Sequence, residues 1–345
     1  MSRFVSRAAV AAHRGRDLLS GLRWTPNWCR AEANPEIRSP VADSRLFAIL
    51  GSYNDEDVIE ATVANAFTQG AERVYLVDNA STDETVPRAL AAGAEVAEIY
   101  KTTAFEENLR VQLMNAAVWR ISCKEPSAHI WWLWLDDDEF PHGPEGQTIK
   151  QYVDGLDRRF RIVGSTFYQH YPHQKPEYIR GFHPIDFQPF CEPFWQPSIP
   201  RCRQNHWKHP LQRFDQEGPF IAIGRGFHMC ESADRSQLVE PVLGIVTHHF
   251  HYREEDSSRR RLSSSYEGVG GRLEHLPSAA RDGSKRLKSV DAVYSQRWAD
   301  VDNQRHVRGE VGVELHPWNE FTHHSEPKRW YNEQDLAQAL EDISG

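Results

Sequence analysis

The stretch Ile130-Trp-Trp-Leu-Trp-Leu135 runs without a break into Asp136-Asp137-Asp138-Glu139. Six consecutive apolar residues, three of them Trp, leave no polar face, so the run reads as a strand buried on both sides. Four acids directly after it would repel one another unless positive charge lies among them. A hard divalent cation, held by one or two carboxylates together with phosphate oxygens, meets that need. If the chain stays extended, the i, i+2 spacing puts Asp136 and Asp138 on the same side. The plainer alternative is an acidic strand-end loop open to water.

Upstream, strand and helix signals alternate. Leu46-Phe-Ala-Ile-Leu50, closed by Gly51, reads as a buried strand. Asn54 and Asp55 offer N-caps to a helix with Val58, Ile59, Val63, Ala66 and Phe67 on one face, ended by Gly70. Arg73–Val77 is a second strand with Asp78 and Asn79 at its carboxyl end. Ser81 and Glu84 have capping-box spacing, and so do Thr103 and Glu106 ahead of a helix carrying Leu109, Leu113, Ala117 and Ile121. Val96–Ile99 is the strand between them. This order predicts an α/β fold: a mostly parallel sheet with helices on both faces. Ligands of such sheets bind outside the carboxyl ends of the strands. Tyr53-Asn54-Asp55, Asp78 and the acidic cluster all fall at that edge.

Downstream of Gly164 the chain turns rich in Pro, aromatics and His, with short strands expected at Ile162–Tyr168, Phe220–Ile223 and Gly244–His249. If the last is a strand, His249 and His251 share a face. Residues 45–258 are read as one domain, divided into a nucleotide-binding half (45–141) and an acceptor half (142–258). An N-terminal extension and linker (1–44) precede it. A helical C-terminal extension (259–345), with a final helix from Asn332, follows.

Composition removes several classes. A mean hydropathy of −0.64 argues against a membrane-embedded chain, and a net charge of −9 argues against a nucleic-acid partner. Five Cys, an odd number without a CxxC, read as reduced thiols and a cytoplasmic protein. Cys202, His206 and His209 match no closed zinc motif well. The Arg-rich, weakly amphipathic first forty residues suggest a helix packed on the body, or peripheral membrane contact.

Three segments together carry a resemblance: LFAILGSYND (46–55), RVYLVDNASTDET (73–85) and WLWLDDDEF (132–140). In this order they resemble the motifs of family 2 glycosyltransferases with the GT-A (Rossmann-like) fold. The resemblance implies that Tyr53 and Asp55 form the nucleotide-holding turn, with Asp55 where Glu is usual. By the same resemblance Asp78 accepts from the donor base, typically uracil, and Asp83 lies near ribose or acts as a structural cap. Asp136 and Asp138 would be the Asp-x-Asp pair, on ribose and metal (Mn2+ or Mg2+). The segment Thr247–Arg253 is similar to a His-aromatic-x-x-Arg stretch in a subgroup of these enzymes, which implies His249 as metal ligand and Arg253 as diphosphate contact. Lys208 and Arg213 are further candidates for phosphate or an acidic acceptor.

The implied reaction moves a sugar from a nucleotide-diphosphate donor, by resemblance a UDP-sugar, to an acceptor hydroxyl on a glycan, lipid or small molecule, with inversion. Inversion needs a general base. Glu231 and His228 are the candidates, with Asp215 and Asp186 as rivals. Two other readings stay open. One is a catalytically silent sugar-nucleotide or glycan-binding protein on the same fold. The other is a metal-dependent phosphohydrolase, although Glu139-Phe140-Pro141 stands where such an enzyme wants a small residue and Thr.

Overall fold

The computed structural model describes residues 29–31, 40–103, 106–170, 179–193, 206–241, 244–250, 253, 316–320 and 328–344. After a short β1 (Cys29–Ala31), strands and helices alternate: β2 (Arg45–Ser52), α1 (Ile59–Thr68), β3 (Arg73–Asp78), α2 (Thr85–Ala91), β4 (Glu95–Ile99), α3 (Glu107–Ser122) and β5 (His129–Asp136). Strands β5, β2, β3 and β4 lie side by side in that order, all parallel. Their carboxyl ends (Ser52, Asp78, Ile99 and Asp136) therefore share one edge.

The sheet continues through the second half of the chain. There follow β6 (Glu139–His142), α4 (Ile149–Asp154), β7 (Ile162–His170), β8 (Phe190–Pro193), β9 (His206–Asp215), β10 (Ile221–Ile223), β11 (Cys230–Ser232), β12 (Val239–Pro241), β13 (Ile245–His249), β14 (His316–Pro317) and α5 (Glu333–Ser344). One sheet runs β14-β8-β7-β9-β5-β2-β3-β4, with β13 joined to β7 and β6 joined to β13. Strand β9 pairs antiparallel with β5, and β13 runs parallel to β7 but antiparallel to β6. The architecture is α/β as expected, parallel through β2–β5 and mixed beyond.

Alternating residues explain why helices cover both faces. Leu46, Ala48, Leu50, Trp131, Leu133 and Leu135 pack against α1, α2 and α4. Phe47, Ile49, Ile130, Trp132 and Trp134 pack against α3 and the β10–β11 hairpin. All three Trp of β5 are buried, and Trp132 also donates its indole N–H to Ser122 Oγ at 2.9 Å. Burying each contributes about 4–6 kcal/mol at the usual value per unit area. On the far face of β13 and β6 lie four buried histidines, His142, His170, His183 and His248. Among them are His170 Nε2 to His248 Nδ1 at 2.8 Å and His142 Nε2 to His183 Nε2 at 3.3 Å.

Some local expectations change. Helix α1 begins three residues after the expected Asn54/Asp55 caps, because residues 56–58 form a turn first; Asp55 instead accepts from Val58 and Ile59 through its backbone carbonyl. Neither expected capping box forms. Ser81 is engaged by Asp78 and Asn54, so α2 starts only at Thr85, and Glu106 precedes α3 without a side-chain cap. A complete capping box occurs instead at Thr148 and Gln151, opening α4. The expected helix at the N-terminus and most of 259–345 lie outside the described residues. The final helix is α5, opened by Asn332 accepting from Asp335 N at 2.9 Å. No described helix is long and apolar enough to cross a membrane.

Candidate metal centre and active site

Strand β5 ends at Asp136, Asp137 and Asp138 form a turn, and β6 starts at Glu139. The chain does not stay extended, so Asp136 and Asp138 are not held on one side of a continuous strand. Asp136 receives Arg110 Nη1 at 2.6 Å and Lys208 Nζ at 2.7 Å. Lys208 arrives through register: β9 pairs Leu211 with Leu133, and three residues further along each strand Lys208 stands opposite Asp136. Arg110 reaches across Gly51, where a Cβ would lie 3.0 Å from Arg110 Cδ. It is also clamped by Glu107 at 2.9 Å. Burial alone would push Asp136 up, but Arg110 and then Lys208 outweigh it and hold it well below the usual carboxylate range. Burial likewise opposes the charge on Arg110, and Asp136 and Glu107 hold it well above its usual value.

Asp138 and Glu139 meet His249 across β13. Glu139 and His249 are directly paired in the antiparallel ladder, and Gln169 flanks His249 from the parallel side. The Gln169 amide donates to His170 O at 3.4 Å, which turns its oxygen toward the imidazole; His249 Nδ1 donates to it at 2.7 Å. His249 Nε2 then faces Asp138 Oδ2 at 3.2 Å, and with the ring proton on Nδ1 a cation would fit between these two acceptors. Asp138, Glu139 and His249 can each offer one ligand atom, all within 4.8 Å of one another. Two carboxylates and an imidazole suit Mn2+ well and Mg2+ through the oxygens. Asp136, expected in the metal set, lies outside this group because its oxygens are engaged by Arg110 and Lys208. Among the described residues His209 joins no metal group and pairs with Glu240 at 3.1 Å; Cys202 lies outside the described residues.

Beneath the turn sits Arg253, which is 1% exposed. Its guanidinium donates to Asp55 at 2.5 Å and lies 3.1 Å from Asp57. Burial, and then the charge of Asp55, push the neighbouring Asp137 well above the usual carboxylate range. The side chain of Arg253, for which the sequence suggests a diphosphate contact, here faces inward and braces an acidic underside. Its expected companion His251 lies outside the described residues. Helix α1 braces the same turn from the other side. Thr62 donates to Asp137 O, Asn65 to Pro141 O at 3.0 Å, and Gln69 accepts from Gly143 N at 3.1 Å and Ile149 N at 3.2 Å. These three polar residues are buried on one helical stripe.

At the end of β3, Asp78 is buried and accepts from Ser52 Oγ (3.1 Å), Ser81 Oγ (2.6 Å) and Ser81 N (2.8 Å). Asn79 and Thr102 pair beside it at 2.9 Å, and burial pushes the adjoining Tyr100 up to about 12. Asp83 accepts from Thr85 N at 3.0 Å and Glu56 N at 3.3 Å. Asp55, besides holding Arg253, accepts from Tyr53 N at 3.3 Å, while the Tyr53 ring stands 42% exposed at the rim.

The base candidates separate by position. Asp215 pairs with His129 at the start of β5, seven residues from Asp136 and hence about 23 Å away along the strand. It is engaged there by His129, Arg213 and Arg161, so it is removed as a rival. Asp186 is held by Arg329 at 2.8 Å. Glu231 is exposed on β11, and His228 is half-buried just after a 3₁₀ turn, Arg225–Phe227. That turn leans on the acidic site: Gly226 N donates to Glu107 at 2.9 Å, and the Phe227 ring lies 5.4 Å from Arg110 and 5.3 Å from Lys208. Arg213 lies on the far side with Asp215. Arg110, Glu107, Gln169 and Glu139 belong to this cluster, and sequence reading gave none of them an individual role.

No family model matches the chain, and no curated protein matches it. Solved structures similar to it include glucosyl-3-phosphoglycerate synthase from Mycobacterium tuberculosis in complex with Mn2+, uridine diphosphate and glucosyl-3-phosphoglycerate. That match has 16% identity and a TM-score of 0.33, and covers 66% of this chain and 80% of that one. The same synthase with Mg2+ and uridine diphosphate gives 16% identity and a TM-score of 0.32, covering 66% and 79%. A mycobacterial protein described only as such gives 13% identity and a TM-score of 0.31, covering 70% and 81%. Likenesses of this extent assign neither a family nor an activity.

Proposed function

We propose that this chain is a metal-dependent glycosyltransferase of the GT-A type, using a nucleoside-diphosphate sugar, by motif a UDP-sugar, and inverting the anomeric centre. The observation that carries the reading is the meeting of Asp138, Glu139 and His249 at the edge where β2, β3 and β5 also end. In this reading the base and ribose lie along Tyr53, Asp78 and Asp136, and the diphosphate points toward Asp138 and His249. A bound divalent ion would supply positive charge to the departing diphosphate. Arg110 and Lys208 keep Asp136 ionised and fixed, so that the carboxylate is ready to accept from a ribose hydroxyl. Among the base candidates we favour His228 and Glu231, carried on the segment that leans on Glu107 and Arg110.

Calorimetric titration with UDP and GDP, with and without Mn2+, tests the reading against Asp138→Ala and His249→Ala. Metal-dependent binding of one nucleotide, lost in both variants, supports it. Absence of binding with either nucleotide under every metal condition overturns it. The exposure of Glu231 favours one second reading, a silent sugar-nucleotide binder. Hydrolysis of the donor in Mn2+ by wild type but not by His228→Ala or Glu231→Gln would exclude it.

A further inference from the structure

We propose that Lys208 is an internal competitor of the divalent ion. Its ammonium and the metal share the Glu139 carboxylate, so metal entry makes Glu139 a third protein ligand and moves Lys208 wholly onto Asp136. The inference rests on the metal centre described above and not on which nucleotide or sugar is used.

Three observations converge on it. Glu139 is 1% exposed and stands directly across the ladder from His249, with its oxygen within 4.8 Å of ligand atoms on Asp138 and His249. A carboxylate so placed points into the same space as the other two ligands, and water does not compensate its charge. Its counter-charge is Lys208, whose Nζ contacts Glu139 on one side and Asp136 Oδ2, at 2.7 Å, on the other. The ammonium also lies 5.4 Å from the Phe167 ring and 5.3 Å from the Phe227 ring. When Glu139 turns to a metal, Lys208 therefore keeps both a carboxylate and two aromatic faces, and it need not leave the site.

Charge supports the exchange. Four carboxyl groups, Glu107, Asp136, Asp138 and Glu139, stand here against the two positive charges of Arg110 and Lys208. A divalent ion adds two positive charges to this carboxylate-rich cluster, a change that favours an anionic ligand. Metal loading and anion affinity are then coupled through Lys208, which stays beside the ion.

The test is Mn2+ binding alone, followed by the electron paramagnetic resonance signal of the free ion and by calorimetry, without nucleotide. Glu139→Gln should weaken Mn2+ binding on the order of 10- to 100-fold. Lys208→Met should tighten it several-fold and enlarge the rise in thermal midpoint that Mn2+ produces. Lys208→Gln, which is neutral yet still bonds both carboxylates, serves if the Met variant does not fold. In the Glu139→Gln protein the effect of Lys208→Met should vanish, because the shared carboxylate is gone. Unchanged Mn2+ affinity in Glu139→Gln, or the same tightening with and without Glu139, overturns the proposal; Asp138→Ala and His249→Ala test the other two ligands independently. No Mn2+ binding by wild type overturns it together with the metal centre itself. Absence of nucleotide binding in a protein that passes these tests would count only against the transferase reading.

Discussion

Replacing Arg253 by Met should cost the protein a large part of its stability and leave its metal site in place. The guanidinium is 1% exposed, 2.5 Å from Asp55 and 3.1 Å from Asp57, with the buried Asp137 close by. Removing one partner of a buried pair costs about 3–5 kcal/mol, because the other charge stays buried without compensation. Set against a typical total of about 5–15 kcal/mol, that is about a fifth or more. With a urea dependence of about 3 kcal/mol per molar, the unfolding midpoint should fall by about 1–1.7 M. The deficit should also depend on pH. Without Arg253 the folded carboxylates hold protons more tightly than the unfolded ones. Such raised groups contribute stability at low pH and lose it as pH rises, so the deficit should shrink as pH falls toward 4. Urea titrations followed by Trp fluorescence at several pH values measure this, with Mn2+ calorimetry on the folded variant beside them. A midpoint that does not move, together with loss of Mn2+-dependent nucleotide binding, would refute the reasoning and return Arg253 to the ligand.

Other outcomes follow from the same geometry. Gln169→Leu removes the acceptor that sets the His249 tautomer, so Mn2+ affinity should drop about 10- to 100-fold with the fold intact by circular dichroism; equal affinity would mean the imidazole needs no such anchor. Gly51→Ala drives a methyl to 3.0 Å from Arg110 Cδ, which should cost about 1–3 kcal/mol by calorimetry and displace Arg110 from Asp136 in a crystal structure. Burial, then His142 and Arg329, hold His183 well below its usual value. A depressed His contributes stability above about pH 6.5 that is lost as pH falls, so the urea midpoint should decline below that pH and His183→Phe should flatten the decline. Burial pushes Glu139 up to about 8 against the pull of Lys208. In metal-free protein this contribution is lost as pH rises from about 4.5 toward 8, and Glu139→Gln should remove that slope.

The parallel half of the fold was readable because its signals are local. Runs such as Leu46–Leu50 and Ile130–Leu135 can be buried only as central strands, and the acids at their ends fall where such sheets bind ligands. What stayed hidden depends on register. Lys208 meets Asp136 only because β9 runs antiparallel to β5, and Glu139 meets His249 only because β6 folds back along β13. Neither pairing has a signature within a few residues. Short strands such as β8, β11 and β12 carry too little periodicity to announce themselves. The ion pairs of Arg253 were hidden for a related reason: its burial beside Asp55 and Asp57 is set by tertiary packing. The Ser81–Glu84 capping box failed because Ser81 bonds to Asp78 and Asn54 instead.

Helix α1 has a consequence for how events at its two ends communicate. Just ahead of its first turn, Asp55 and Asp57 hold Arg253, and along its length Thr62, Asn65 and Gln69 grip the backbone that carries Asp137, Pro141 and Gly143. The helix is therefore a rigid lever between the turn after β2 and the segment bearing Asp138 and Glu139. Any coupling between ligands bound at these two ends must be reciprocal, each changing the other's affinity by the same factor.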